Sequence, residues 1–271
     1  MGVVSRVTGF RLGLFFAVLL LCGPRAYAET LGRVVSLDMC ADQYALGLLP
    51  RSAIAALSQR AMHEDSYYRE QARNIPRYRP SLEAILALKP TAVLRTWGGD
   101  ARLVESLKNR GIDVIQIEDA ADFSTARAEL LRIGTRLGQP KKAGIEARRM
   151  DVAVAAISRQ GRGRTVLYYT PSGYTAGPET WVGGVLKHMG YAVISSEDYY
   201  SYLSPELFVK LNPDVYALGF YEDKYAMRRV AGRHPLVRRK IASRETLVLP
   251  APAIACNAWY SPVAVNESLK R

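Results

Sequence analysis

One stretch of this chain is used twice, and that duplication limits the fold more than any other feature. Ser81-Leu-Glu-Ala-Ile-Leu-Ala-Leu-Lys-Pro-Thr-Ala-Val-Leu94 returns without a gap as Ser204-Pro-Glu-Leu-Phe-Val-Lys-Leu-Asn-Pro-Asp-Val-Tyr-Ala217. Each copy opens on a Ser whose hydroxyl suits a helix N-cap. A Glu follows two residues later (Glu83, Glu206), where the helix dipole favours a carboxylate. Apolar residues at helical spacing lead to a Pro that ends the helix (Pro90, Pro213), and a short apolar run then reads as a buried strand. Four of the fourteen positions are identical, so the echo by itself only suggests one lobe built twice.

The order of elements around the copies supports that reading. Arg33–Leu37 reads as a first buried strand, Asp38-Met39-Cys40 as a loop, Ala41–Leu49 as a helix and Ala53–Leu57 as a second strand. A polar, aromatic and basic loop over 59–80 precedes the first copy, and long loops in compact domains are often functional. After it, Arg95-Thr96-Trp97-Gly98-Gly99 falls at the carboxyl end of a strand, the edge where open α/β sheets place ligands. The second half repeats the order from the strand Thr165–Tyr169 through an aromatic loop, Ser195–Leu203, to the second copy. Between them, Ser124–Gln160 is almost wholly helical in pattern, broken at Gly138-Gln139-Pro140 and otherwise lacking the Gly, Ser and Pro of a flexible linker. The expected fold class is α/β: two α/β lobes with mostly parallel central sheets, joined by a single long rigid helix, with a ligand cleft between the lobes. The expected boundaries are 1–28 for a leader, 29–121 for the first lobe, 122–162 for the helical connector and 163–271 for the second lobe.

The leader rests on Arg6 and Arg11 ahead of the apolar run Leu12–Cys22, and on small residues at Ala26-Tyr27-Ala28. That is the layout of a secretory signal peptide, too short for a membrane span. Cleavage after Ala28 fits better than lipidation of Cys22, since Leu21 is a poor residue before a lipidated Cys. The leader holds three of the 37 basic residues and none of the 25 acidic ones, so cleavage leaves a net charge of +9. Basic residues are scattered without an aromatic platform pattern, which argues against nucleic acid. Two cysteines remain in an oxidising compartment, Cys40 and Cys256, and the sequence leaves open whether they pair or stay as separate thiols.

No catalytic constellation is apparent. His63, His188 and His234 make no metal-ligand spacing, and there is no nucleophile elbow, P-loop or complete dinucleotide fingerprint. The distinctive chemistry is aromatic and lies in loops beside strand ends. Tyr67, Tyr68 and Tyr78 fall in the first long loop and Trp97 at a strand end; Tyr169, Tyr174, Trp181, Tyr199, Tyr200 and Tyr221 cluster in the second half, with Trp259 late in the chain. Such side chains can stack on a large, partly flat ligand while their polar atoms bond its edges, although each would also suit a core. Arg77, Arg79 and Arg95 in the same loops would attract an anionic ligand, and Met39 sits in the first strand-end loop. Glu83 and Glu206 either serve only their helix N-termini or present two equivalent negative points to a two-fold partner.

The chain resembles the periplasmic substrate-binding proteins of iron-siderophore, haem and cobalamin ABC importers. The resemblance is carried by Arg33–Leu37, Ser81–Pro90 with its strand, Leu107–Ile112, Tyr174–Gly177 with the following helix, and Leu203–Leu207 through Pro213-Asp214. It covers essentially the whole chain after the leader. It implies a monomeric periplasmic protein without catalytic activity, cofactor or nucleic-acid partner, whose cleft takes a metal chelate, ferric siderophore foremost and cobalamin or haem as alternatives; an exported enzyme using the same cleft is the alternative from a different class. It further implies that Glu83 and Glu206 dock a permease dimer in the inner membrane through that partner's arginines. Cys40 and Cys256 then both fall on cleft-facing loops, where a bridge between them would restrict opening of the lobes.

Overall fold

The computed structural model describes residues 1–2, 32–96, 98–221 and 231–269. Most of the expected leader, including Cys22, and the ligand candidate Trp97 lie outside these residues. In the first lobe, β1 (Val34–Ser36) leads to Asp38, which caps α1 (Met39–Leu48) by accepting the Ala41 amide at 2.9 Å. Met39 and Cys40, expected in a loop, therefore form the first turn of that helix, because Asp38 is the capping residue. β2 (Ile54–Ser58), β3 (Arg77–Tyr78), α2 (Leu82–Ala87), β4 (Ala92–Arg95), α3 (Ala101–Lys108) and β5 (Asp113–Gln116) follow. All neighbours in the sheet are parallel, in the order β3-β2-β1-β4-β5.

Two helices then connect the halves, α4 (Phe123–Arg136) and α5 (Pro140–Ala155). They fold back on one another at the expected break near Gly138, and Gly134 lets them touch: a Cβ there would stand 2.2 Å from that of Ala143. Arg127 and Asp151 pair across the two helices at 2.9 Å. The helix that hands the chain to the second lobe is α5, which stops at Ala155 rather than running to Arg159.

The second lobe contains β6 (Thr165–Tyr169), β7 (Tyr174–Ala176), α6 (Trp181–His188), β8 (Ala192–Val193), β9 (Tyr200–Tyr202), α7 (Pro205–Lys210), β10 (Val215–Gly219), α8 (Pro235–Ala242) and β11 (Glu245–Leu249). Its main sheet is again parallel, in the order β11-β10-β6-β8. β6, β8, β10 and β11 thus take the places of β1, β2, β4 and β5. The doubled stretch is α2 with β4 in one lobe and α7 with β10 in the other, each time setting its strand beside the lobe's first strand. Both N-cap serines act as their sequence suggests, Ser81 accepting the Ala84 amide at 3.2 Å and Ser204 that of Leu207 at 3.3 Å. β7 and β9 form a separate antiparallel ribbon.

After β11 the chain passes through α9 (Ala251–Ile254) and leaves the second lobe. Cys256 is joined to Cys40 of α1 by a disulfide, with 5.6 Å between the Cα atoms. Trp259 then meets the Tyr44 ring edge-on at 4.6 Å, and Tyr260 stacks on Tyr67 at 4.7 Å. α10 (Ser261–Leu269) lies along the connector, where Asn266 donates to the Ala153 carbonyl at 2.7 Å. Residues 256–269, expected within the second lobe, therefore pack on the first lobe and the connector. Gly47 is the local reason: a Cβ on this residue would stand 2.6 Å from the Trp259 ring.

The disulfide closes a span of 216 residues. Replacing both cysteines by Ser should lower unfolding stability by about 2–4 kcal/mol. Urea melts of the double variant, and of the wild type with and without reductant, measure this; coincident curves would show that the bridge contributes nothing.

Candidate functional site

The carboxyl ends of β1, β2, β4, β5, β6 and β10 converge between the lobes on two adjoining chambers. One, of about 330 Å³, is walled by Tyr44, Glu118, Asp119, Tyr168, Val182 and Tyr200. The other, of about 560 Å³, is walled by Asp38, Met39, Ser58, Arg60, Asp65 and Arg79. Cys40, Thr96, Phe220 and Ala255 line both, so the chambers form one cleft with one half of the disulfide in its partition.

Two aspartates of the first lobe fix the cleft's floor. The second oxygen of Asp38 accepts the Thr96 amide at 2.8 Å, tying the end of β1 to the end of β4. Asp42, one turn along α1 and fully buried, accepts the Ser58 amide at 2.9 Å and the Ser58 hydroxyl at 2.6 Å. Burial pushes its carboxyl up to about 6 despite the hydrogen bonds that oppose the shift. Asp65, also buried, faces His63 Nδ1 at 3.2 Å and Arg60 at 3.5 Å. From the second lobe, Phe220 enters the partition with φ of 61°. A left-handed backbone costs a non-glycine residue about 1–2 kcal/mol, and such strain concentrates at functional positions.

The two chambers differ in charge. Glu118 and Asp119 form an acidic wall, where burial and the neighbouring Glu118 hold the Asp119 carboxyl above its usual value. The Tyr200 hydroxyl faces it and is pushed up by burial, with Asp119 adding to the shift. Arg60 and Arg79 give the other chamber its positive groups, offset by Asp38 and Asp65. The described residues hold no cluster of three or more His, Cys, Asp or Glu able to bind a metal ion. The arrangement can grip a ligand by the exposed Tyr200 ring on one side and by charged and hydrogen-bonding groups on the other.

Of the side chains proposed from sequence, Met39, Arg79 and Tyr200 line the cleft. Tyr78 stands just beneath it, its hydroxyl donating to the Ser36 carbonyl at 3.3 Å. Arg77 is exposed on edge strand β3, and Arg95 turns its guanidinium to the Gly98 carbonyl. Tyr221 is half-buried over Gly232, while Tyr174 and Tyr199 are exposed. Five aromatics prove to be packing residues instead. Tyr67, Tyr68 and Trp259 join the cluster that holds the C-terminal segment to α1, and Tyr169 packs on Phe208 in the second lobe's core. Trp181 packs edge-on against Phe123 beside a separate cavity between α4 and α6. An aromatic beside a strand end can turn either way, and these find apolar neighbours. Glu83 and Glu206 are both exposed on their helices' first turns.

Sequence reasoning missed Tyr44, Glu118, Asp119, Tyr168 and Phe220. Glu118 and Asp119 lie just past the carboxyl end of β5, so the strand-end rule that singled out Arg95 would have found them.

A family model described as periplasmic binding protein matches residues 34–222, more than half of the chain. A cobalamin-binding protein of Halobacterium salinarum is 29% identical over 252 residues, covering 87% of this chain. The chain spans 63% of that relative's length. Among solved structures, the periplasmic haem-binding protein HutB of Vibrio cholerae aligns with a TM-score of 0.69 at 17% identity, covering 88% of this chain and 97% of that one. An ABC-type Fe3+-hydroxamate transport system protein from Saccharomonospora viridis gives 0.67 at 19% identity, with 88% and 92% covered. These two likenesses are of fold.

Asp42 gives the cleft floor a pH signature. Its folded pKa of about 6 exceeds the ordinary aspartate value of 3.8, so the folded state holds more protons across that window. Stability contributed by this group is full at low pH and falls as pH rises from about 4 to about 6, by roughly 3 kcal/mol. Asp42→Asn keeps an acceptor for the Ser58 amide and removes the titration. The change in urea stability between pH 4 and pH 7 should therefore be more favourable to high pH in the variant than in the wild type by about that amount; equal changes would refute the assignment.

Proposed function

The chain belongs to the periplasmic binding protein family, and from that premise we propose that it is the substrate-binding component of an ABC importer. It captures a metal chelate between its lobes, carries out no reaction, and delivers the chelate to a permease dimer in the inner membrane. The chelate we propose is a cobalt corrinoid of the cobalamin type. The observation that carries this choice is the acidic Glu118–Asp119 wall set against Tyr44, Tyr168 and Tyr200. A polyanionic chelate such as a ferric triscatecholate would be repelled there, whereas the carboxamide N–H groups around a corrin ring find acceptors. Of these tyrosines Tyr200 is exposed and offers its ring face to the macrocycle, and Arg60 and Arg79 offer charge to a phosphate. The relatedness to a cobalamin-binding protein supports the same choice.

The sequence favoured ferric siderophore, and that remains the second reading in a narrower form. Neutral or cationic hydroxamate chelates tolerate an acidic wall, and one structural neighbour belongs to an Fe3+-hydroxamate system. Calorimetric titration of the purified protein with cyanocobalamin, haemin, a ferric hydroxamate and a ferric triscatecholate tests the choice. Tightest binding of cyanocobalamin is expected, and preference for the triscatecholate would overturn the reading. Glu118→Gln/Asp119→Asn should narrow the gap between cyanocobalamin and the anionic chelate.

For docking we propose Glu83 and Glu206, which occupy equivalent first-turn positions on α2 and α7. Glu83→Lys/Glu206→Lys should abolish uptake in cells while leaving chelate affinity unchanged. Loss of affinity in the isolated protein would contradict a docking role.

A further inference from the structure

The β7–β9 ribbon carries an aromatic face that leads out of the cleft. Its register sets Tyr174 opposite Tyr202 and Ala176 opposite Tyr200, so these four residues share one face. The other face is turned inward: Thr175 is fully buried and donates its hydroxyl to the Tyr168 carbonyl at 2.8 Å. On the outward face Tyr174, Tyr200 and Tyr202 are 51%, 51% and 55% exposed, and no charged residue interrupts them. Single exposed aromatics need no explanation, but three on one ordered face form a patch that does.

The ribbon is held rigid. The Leu203 amide donates to the Gly173 carbonyl at 2.8 Å and the Gly177 amide to the Tyr199 carbonyl at 3.1 Å, beyond the ladder itself. The Tyr202 ring lies on the Gly173 backbone, where an added Cβ would stand 2.7 Å from ring carbon Cε2. Tyr174 meets Tyr202 edge-on at 6.0 Å. The rings are therefore fixed before any partner arrives. Tyr200 belongs at once to this face and to the acidic chamber of the cleft, and Tyr202 follows about 7 Å further out along the strand.

We propose that Tyr174 and Tyr202 form a stacking platform at the cleft rim for a flat heteroaromatic group that the chelate carries outside its metal-binding ring. The platform rests on the corrinoid reading given above and extends the ligand's footprint past the chambers. Its occupant is part of the ligand in the cleft, because the face is continuous with the cleft through Tyr200. It makes the protein distinguish a complete chelate from one that lacks the appended base.

Cyanocobalamin and dicyanocobinamide provide the test, since the second keeps the corrin ring and lacks the nucleotide base. Both are titrated against the full chain, Tyr174→Ala/Tyr202→Ala and Tyr174→Phe/Tyr202→Phe. The alanine pair should weaken cyanocobalamin on the order of ten-fold while moving cobinamide by less than about two-fold. The phenylalanine pair should bind both as the wild type does, because stacking survives without the hydroxyls. Equal losses on the two corrinoids, no loss on either, or a change in sedimentation in place of affinity would each overturn the platform and leave the corrinoid reading standing. A wild-type chain that binds neither corrinoid overturns the reading, and the platform with it.

Discussion

Helix α1 is where the structure is held together, through contacts made by its cap and four of its residues. Its cap, Asp38, joins the ends of β1 and β4, and Asp42 joins the helix to β2. Cys40 binds the returning C-terminal segment covalently, and Tyr44 and Gly47 receive the Trp259 ring. The same ten residues therefore form a wall of the cleft at one end and the seat of the C-terminal segment along their length. A disturbance of this helix would be felt at both places. The burial of Asp42 follows from this, since a helix pressed so closely on the sheet leaves no water around its first turn.

The cleft derives its chemistry from where strands end. Parallel strands place all their carboxyl ends on one edge, so the two sheets can present loops of opposite character to a shared space. Two acids, Glu118 and Asp119, follow just past the end of β5, and partial burial together with the neighbouring Glu118 keeps the Asp119 carboxyl less acidic than usual. β2 and β3 end beside arginines. A ligand bridging the two chambers would meet acceptors on one side and cations on the other, so its orientation as well as its identity is under selection.

The duplication read from Ser81 and Ser204 carried to the tertiary level, because a capped helix followed by a proline and a buried strand is local chemistry that tertiary context rarely changes. The parallel sheets followed from apolar runs with helices between them. Side-chain direction was another matter. Trp259, Tyr68 and Trp181 lie near strand or helix ends as a ligand-binding residue would, yet an aromatic ring goes wherever apolar surface is offered. That surface is made by residues distant in sequence: Gly47 for Trp259, Phe123 for Trp181. The return of the C-terminal segment to the first lobe was likewise hidden, since no local pattern says which lobe a terminal helix will join. Glu118 and Asp119 were legible by position but were passed over for more conspicuous aromatics.

The chain crosses between the lobes twice among the described residues, once after α5 and once between β11 and Cys256. Two crossings act as two pivots. They define a line, and the motion they permit most readily is a turn of one lobe against the other about that line. The bond at Cys40 makes the second pivot tight. In a reducing milieu that pivot would slacken, and the lobes would gain a second degree of freedom that the oxidised protein lacks.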